Sequence, residues 1–415
     1  MEERYLAAKQ ILEKYHQEHL LRCYETLETK DKEKLLNEIL TIDFKQLEEL
    51  YADRNKEVAF GKSKIEPIPY IDKMALSEEE KATYIEIGEK IIKAGKLAVV
   101  TMAGGQGTRL GHNGPKGTFD LGLASHKSIF EIHCDTLKRA SEKYNVTIPW
   151  YIMTSDENNS ATVAFFEEHQ YFGYPKSAFT FFKQGRLPML DENGKVLLTE
   201  QGTIKQAADG HGGIFEAFRK NGVIYDMQAR NIEWIFISGV DNVLVKMVDP
   251  LFIGITASKN AKAAGTSVAK ARPEERVGIY CKRDGKTSLV EYTEISKEMS
   301  EMKNEKGELV FAEANTLCNL FHIDVIEEIS KNKIPYHSAH KKATYMDTEG
   351  NIVKGDKPNA YKFESFMFDA FETLDNMVIL RVKREEEFAP VKNAEGTDSP
   401  ETARELYKNF YHITE

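Results

Sequence analysis

Apolar residues over the first 57 positions recur at steps of three and four: Tyr5, Leu6, Ile11, Leu12, Tyr15, Leu20, Leu21 and Tyr24, with Glu and Lys between them. That spacing puts them on one face of successive helices, and the block reads as packing material. Asp31 and Asp43 stand where the next two helices would take their N-caps. Residues 61–72, GKSKIEPIPYID, carry two prolines and read as a connector or wrap. From about residue 93 the period changes. Residues 97–102, LAVVTM, are a continuous apolar run, as expected of a strand buried on both faces. After a glycine cluster come an amphipathic stretch over 127–144, a strand over 148–154, a helix over 161–171 and a strand over 178–184. A helix over 213–220, a strand over 234–238 and a helix over 249–261 continue the alternation. Strand, loop, helix, strand predicts a doubly wound, mostly parallel, Rossmann-like α/β sheet.

Between 266 and 292, three β-rich runs are separated by Arg272-Pro273 and Asp284-Gly285, which predicts an inserted antiparallel patch. A helix over 363–374 and a strand over 377–383 follow. Ser399-Pro400-Glu401 then opens a terminal helix, with Ser as N-cap and Pro at the first helical position. The expected division is a helical N-terminal region (1–92), a catalytic α/β domain (93–375) and a small C-terminal domain (376–415).

Length and charge narrow the functional classes. A chain of 415 residues is long enough to bury a large core without covalent staples. Lys and Arg number 56 against 66 Asp and Glu, a formal net charge of −10, the wrong sign for a general nucleic-acid binder. Anionic ligands must therefore be held by a few local cations and backbone N–H groups. Cys23, Cys134, Cys281 and Cys318 are far apart with no CxxC spacing, which argues against zinc or a disulfide framework and for a reducing compartment. The polar start MEERYLAAKQ has no signal-peptide core, and no apolar run approaches the ~20 residues that span a bilayer. A cytoplasmic protein without membrane or nucleic-acid partners is expected.

The most informative stretch is Ala103-Gly104-Gly105-Gln106-Gly107-Thr108-Arg109-Leu110-Gly111, followed by Pro115-Lys116-Gly117. It leaves the carboxyl end of the first sheet strand, where α/β sheets hold ligands. Glycines let the backbone approach an anion, Arg109 offers a planar fork and Lys116 a point charge. No register of the segment supplies a P-loop. Gly105, Gly107 and Gly111 resemble a loose dinucleotide fingerprint, but the second strand ends near Thr154, too late for the acidic residue wanted about 20 positions on. A merely glycine-rich turn leaves the flanking Arg and Lys unexplained.

GGQGTRLGHNGPKG resembles the signature loop of the UDP-sugar pyrophosphorylase family (UDPGP type 1), most closely its N-acetylglucosamine and N-acetylhexosamine branch. PKGTFDLGLASHKSIFEI, ADGHGGIFEAF, GVDNVLVKMVDPLFIG, VEYTEIS, KPNAYKFESFMFDAF and EEEFAPVKNAEG recur in family order, from about residue 97 to 404. The resemblance implies a GT-A-like nucleotidyltransferase that joins UTP to N-acetylglucosamine 1-phosphate and releases UDP-GlcNAc and pyrophosphate. It assigns Gly104, Gly105 and Arg109 to the triphosphate, Lys116 and Lys392 to charge neutralisation, Gln184 and Gly210 to uracil, and Asp241 to Mg²⁺. Asp241 follows the apolar strand 234–238, a position suited to an oxygen-seeking cation. The sugar pocket would comprise His211, Glu291, Tyr292, Asn315, Phe366 and Phe368. The small terminal domain would close over the site and bring Lys392 to the phosphates.

Two positions depart from the family pattern. His211 stands where the N-acetylhexosamine enzymes carry Asn and the glucose enzymes carry His, and Glu313-Ala314-Asn315 replaces an Asn-Ala-Gly-Asn-type entry. Glucose 1-phosphate therefore stays open as the alternative sugar. More distant alternatives are a nicotinamide-dependent dehydrogenase and a non-catalytic sugar-nucleotide sensor. His337 and His340 lack a carboxylate at metal-ligand spacing and read as ordinary polar residues. A monomer is the favoured state.

Overall fold

The computed structural model describes residues 1–55 and 63–414. The end of the predicted N-terminal helical block (56–57) and the start of the proline-containing connector (61–62) lie outside the described residues. The chain forms two compact units. The smaller gathers Met1–Phe60, Gly185–Gly213 and Ile334–Phe366, and the larger Gly61–Gln184, Ile214–Lys333 and Met367–Glu415.

The larger unit is α/β, built on an eleven-stranded sheet whose main path is mostly parallel. Its main path runs Ile71–Asp72, Met377–Arg381, Ala263–Ala269, Glu313–His322, Trp234–Gly239, Leu97–Met102, Trp150–Thr154, Phe179–Lys183. Leu97–Met102 is buried at every position, as its unbroken apolar run predicts. It pairs in parallel with Trp234–Gly239 and Trp150–Thr154, and Trp150–Thr154 pairs in parallel with Phe179–Lys183. The register sets Met102 opposite both Gly239 and Met153, and Thr154 opposite Lys183. Four strands thus end at one level, and the chain leaves them through the glycine loop, Asp241, Ser155 and Gln184.

Glu313–His322 is antiparallel to both neighbours, so one reversed strand sits inside the sheet. The expected patch after residue 266 is present: Ile279–Arg283 and Lys286–Val290 form a hairpin turned by Asp284 (φ 50) and Gly285 (φ 83). Ser128 caps the helix Ile129–Tyr144 by accepting from Glu131 N–H, and Ser399 caps Pro400–Tyr411 in a capping box. Helices Glu78–Lys93 and Pro250–Ser258 cross backbone to backbone. A Cβ at Gly88 would lie 1.9 Å from the Pro250 carbonyl oxygen, and one at Gly254 1.8 Å from that of Tyr84.

The helix expected over 363–374 does not form as such. Ala360–Ser365 is a strand paired antiparallel with Tyr336–Lys341, and only Met367–Thr373 is helical, as a 3₁₀ turn. Cross-strand pairing overrides an apolar spacing that suits either period. Asp43 caps its helix as expected, but Asp31 lies in the first turn of Thr29–Thr41, which begins after Glu28. In the smaller unit, Leu12, Leu20, Leu35, Leu36 and Ile39 pack against Leu190, Val196, Leu198 and Phe363. The N-terminal helices therefore pack on later sheet strands. Gln17 fastens them by donating to the Gly194 carbonyl (3.0 Å) and accepting from Val196 N–H (2.9 Å).

Candidate active site

The glycine loop folds back on itself. Gly107 N–H donates to the Gly114 carbonyl (2.9 Å), Lys116 N–H donates to that of Gly105 (3.1 Å), and Gln106 bridges Pro115. The His112 ring lies against Gly107, where an added Cβ would come within 2.8 Å of it, and its Nε2 meets Thr118 Oγ1 at 2.8 Å. From below, fully buried Asn158 donates to the carbonyls of Ala103 (2.8 Å) and Gly105 (3.2 Å), while its Oδ1 accepts from Ser155 N–H (2.8 Å). With those carbonyls taken, the Gly104 and Gly105 N–H groups meet no acceptor among the described residues. Two free amides at a strand end form an anion cradle. Gln184 lies over Gly104, its amide 2.8 Å from where a Cβ would stand.

Cations gather beside this cradle. Burial pushes the Lys116 ammonium below the ordinary lysine range; Asp241 opposes that shift, and Lys392 and Arg109 reinforce it. All four charges therefore share one field. Lys392 comes from the C-terminal segment, which the Asp241–Val243 backbone holds down. Val391 N–H donates to the Asp241 carbonyl (2.9 Å), Val243 N–H to that of Ala389 (3.2 Å), and Asn242 Nδ2 to that of Glu387 (2.7 Å). Asn242 Oδ1 accepts from Ala389 N–H (2.9 Å). Upstream, Glu387 receives Lys73 (2.7 Å) and Lys246 (3.1 Å) in a largely buried network that includes Asp249. The Lys392 ammonium lies 3.6 Å from Asp398.

The half-buried Asp241 carboxylate packs over Gly239 and makes no hydrogen bond or ion pair among the described residues. No group of three or more His, Cys, Asp or Glu side chains is assembled for a metal among the described residues. A lone, unpartnered carboxylate fits a hard cation that draws its other oxygens from phosphates and water, and does not fit an all-protein cage. Buried Cys134, Cys281 and Cys318 have thiol pKa values pushed up to about 12, unlike nucleophilic thiols.

The residues assigned to sugar fall in both units. In the larger, Glu291 and Asn315 converge on Gly278: a Cβ there would stand 3.1 Å from Glu291 Oε1, and its carbonyl accepts from Asn315 N–H (2.9 Å). Tyr292 is exposed, whereas Phe368 is buried in the core. In the smaller unit, Gly210 takes φ +87, and a Cβ there would meet the Ser365 carbonyl oxygen at 2.3 Å. His211 packs on Phe366 with ring centroids 5.4 Å apart, and His337 lies on the same ring at 4.9 Å.

A family described as UTP–glucose-1-phosphate uridylyltransferase (UDPGP) matches residues 42–398. The chain belongs to this family. It is 37% identical over 423 residues to a Saccharomyces cerevisiae protein named UDP-N-acetylglucosamine pyrophosphorylase, covering 96% of this chain and 88% of that one. A Homo sapiens protein named UDP-N-acetylhexosamine pyrophosphorylase-like protein 1 is 36% identical over 416 residues, covering 95% and 82%. The crystal structure of the Trypanosoma brucei uridine diphosphate N-acetylglucosamine pyrophosphorylase in complex with inhibitor superposes with a TM-score of 0.84 at 30% identity, covering 98% of this chain and 84% of that one.

Sequence reasoning missed several residues that contact the candidate segments. Asn158 looks like any polar residue after a strand, and only its burial beneath the loop reveals its task. Fully buried His133, whose Nε2 donates to the Asn242 carbonyl (2.9 Å), reads as one apolar-face position of a helix. His337, read as an ordinary polar residue, joins the Phe366 ring contact. No local pattern marks any of the three.

Proposed function

We propose that this chain transfers the uridylyl group of UTP to N-acetylglucosamine 1-phosphate, forming UDP-GlcNAc and pyrophosphate. The observation that carries the reading is the shared field of Arg109, Lys116, Lys392 and Asp241 beside two unpaired glycine amides. Such a site can hold a triphosphate and a sugar phosphate together while their repulsion is offset. Phosphoryl-type transfer needs positioning and charge neutralisation more than covalent help. Gly104 and Gly105 N–H donate to triphosphate oxygens, with Arg109 nearest the leaving pyrophosphate. Lys116, partly withdrawn from water, acts more strongly on charge developing around the α-phosphorus than a solvated lysine would. Lys392 adds a third cation from the C-terminal segment (376–415), read as a small closing domain. In the larger unit Gln184 meets the uracil edge; Gly210, in the smaller unit, keeps the nucleotide role that the resemblance implies. Asp241 would hold Mg²⁺, which supplies neutralisation of phosphate charge when bound.

The sheet is read as GT-A-like, and the enzyme as a cytoplasmic monomer. No helix among the described residues is long and apolar enough to cross a membrane. Similarity to N-acetylglucosamine enzymes over most of the chain supports that sugar. His211, at the position where the glucose enzymes carry His, is the observation that favours glucose 1-phosphate as a second reading.

The test supplies purified protein with UTP, Mg²⁺ and each sugar phosphate while pyrophosphate is measured. Turnover with kcat/KM higher for N-acetylglucosamine 1-phosphate is expected. A ratio favouring glucose 1-phosphate would reverse the sugar assignment, and no product from either would end the uridylyltransferase reading.

A further inference from the structure

A buried polar chain lies behind Asn315. The Tyr280 phenol oxygen is 2.9 Å from Asn315 Oδ1 and 3.2 Å from Asn319 Oδ1. Asn315 Oδ1 also accepts from Leu317 N–H at 2.9 Å, which identifies that atom as the amide oxygen. Tyr280 is almost fully buried, and burial raises its pKa, so it has one proton to donate. That proton cannot serve both asparagines.

Asn319 resolves the conflict. It is fully buried, and its Nδ2 has no partner among the described residues while its oxygen faces the phenol. Turning the Asn319 amide over removes the conflict at the phenol: Asn319 N–H donates to Tyr280 oxygen, and Tyr280 O–H donates to Asn315 Oδ1. Gly265 leaves room for this chain, since a Cβ there would stand 2.3 Å from the phenol oxygen. Leu317 is held at φ 56, a left-handed conformation rare for leucine, with its N–H delivered to Asn315. Strain of this kind persists where the surroundings demand it and is common at functional sites. Leu317 also faces Gly239, two residues before Asp241.

We infer that Tyr280 and Asn319 are positioning residues that fix the Asn315 amide with its NH₂ group presented to ligand. The inference rests on Asn315 facing the sugar phosphate. Both Oδ1 acceptor directions are then occupied, and Asn315 Nδ2 has no partner among the described residues. Asn315 can only donate outward. The sugar atom it recognises must accept a hydrogen bond, as a hydroxyl oxygen or an acyl carbonyl does, and a purely donating substituent such as an ammonium group is rejected there.

Kinetics of Tyr280→Phe, Asn315→Ala and the double variant Tyr280→Phe/Asn319→Leu test this. The double variant removes the polar pair together and leaves no buried amide unpaired. Both Tyr280 variants should raise KM for the sugar phosphate roughly three- to tenfold, up to the worth of one oriented hydrogen bond. KM for UTP and kcat should stay within about twofold. Asn315→Ala should raise the sugar-phosphate KM at least as much. If Asn315→Ala does so while both Tyr280 variants match wild type, the positioning role is wrong and the functional reading stands. If Asn315→Ala leaves that KM unchanged, the sugar assignment of Asn315 fails and the inference falls with it.

Discussion

His133 sits where a proton would do measurable damage. Its Nε2–H donates to the Asn242 carbonyl, and its Nδ1 is buried with no partner among the described residues. Burial lowers its pKa from 6.5 to about 4, outweighing the Asn242 hydrogen bond and the nearby Asp241 charge, both of which raise it. The unfolded chain therefore binds this proton more readily than the folded one. Stability contributed by neutral His133 is complete above about pH 6.5, falls as pH drops, and levels off below about pH 4. Each pH unit in that window is worth about 1.4 kcal/mol, so acidifying from pH 6.5 to pH 5 should remove about 2 kcal/mol. His133→Gln keeps a donor near Nε2 and removes the titration. Urea denaturation of both proteins at pH 7 and pH 5 measures the effect as a difference between their pH slopes, which cancels the fixed cost of the substitution. Wild type should lose about 2 kcal/mol more than the variant on acidification. Equal losses would refute the assignment of a neutral, unpaired Nδ1.

Two other substitutions separate binding from folding. Gly104→Ala places a methyl 2.8 Å from the Gln184 amide, a flexible side chain that can swing away. Thermal stability should change by no more than about 0.5 kcal/mol, while KM for UTP rises; an unchanged KM would remove Gln184 and Gly104 from the nucleotide site. Lys73→Met leaves Asp249 and part of the Glu387 charge uncompensated in a largely buried network, at a cost of about 3 kcal/mol. A fall in urea midpoint at constant m-value checks it, and a shift below about 0.5 kcal/mol would show the network to be solvated.

How much of this was legible in the chain depends on the range of the interactions involved. The buried strand Leu97–Met102, the Asp43 and Ser399 caps, the Asp284-Gly285 turn and the glycine loop with Arg109 and Lys116 were readable because each is set by neighbours a few residues apart. Phe363 and Phe366 were misread because an apolar cluster suits a helix or a strand until Tyr336–Lys341 pairs with it. Only the tertiary structure decided that four strands end at one level, that Asn242 holds the segment carrying Lys392, and that Tyr280 and Asn319 stand behind Asn315. Those relations join residues far apart in sequence. Their energies come from register, burial and shared protons, none of which has a local pattern; the sequence by itself determined the parts, and packing determined which charges and amides meet.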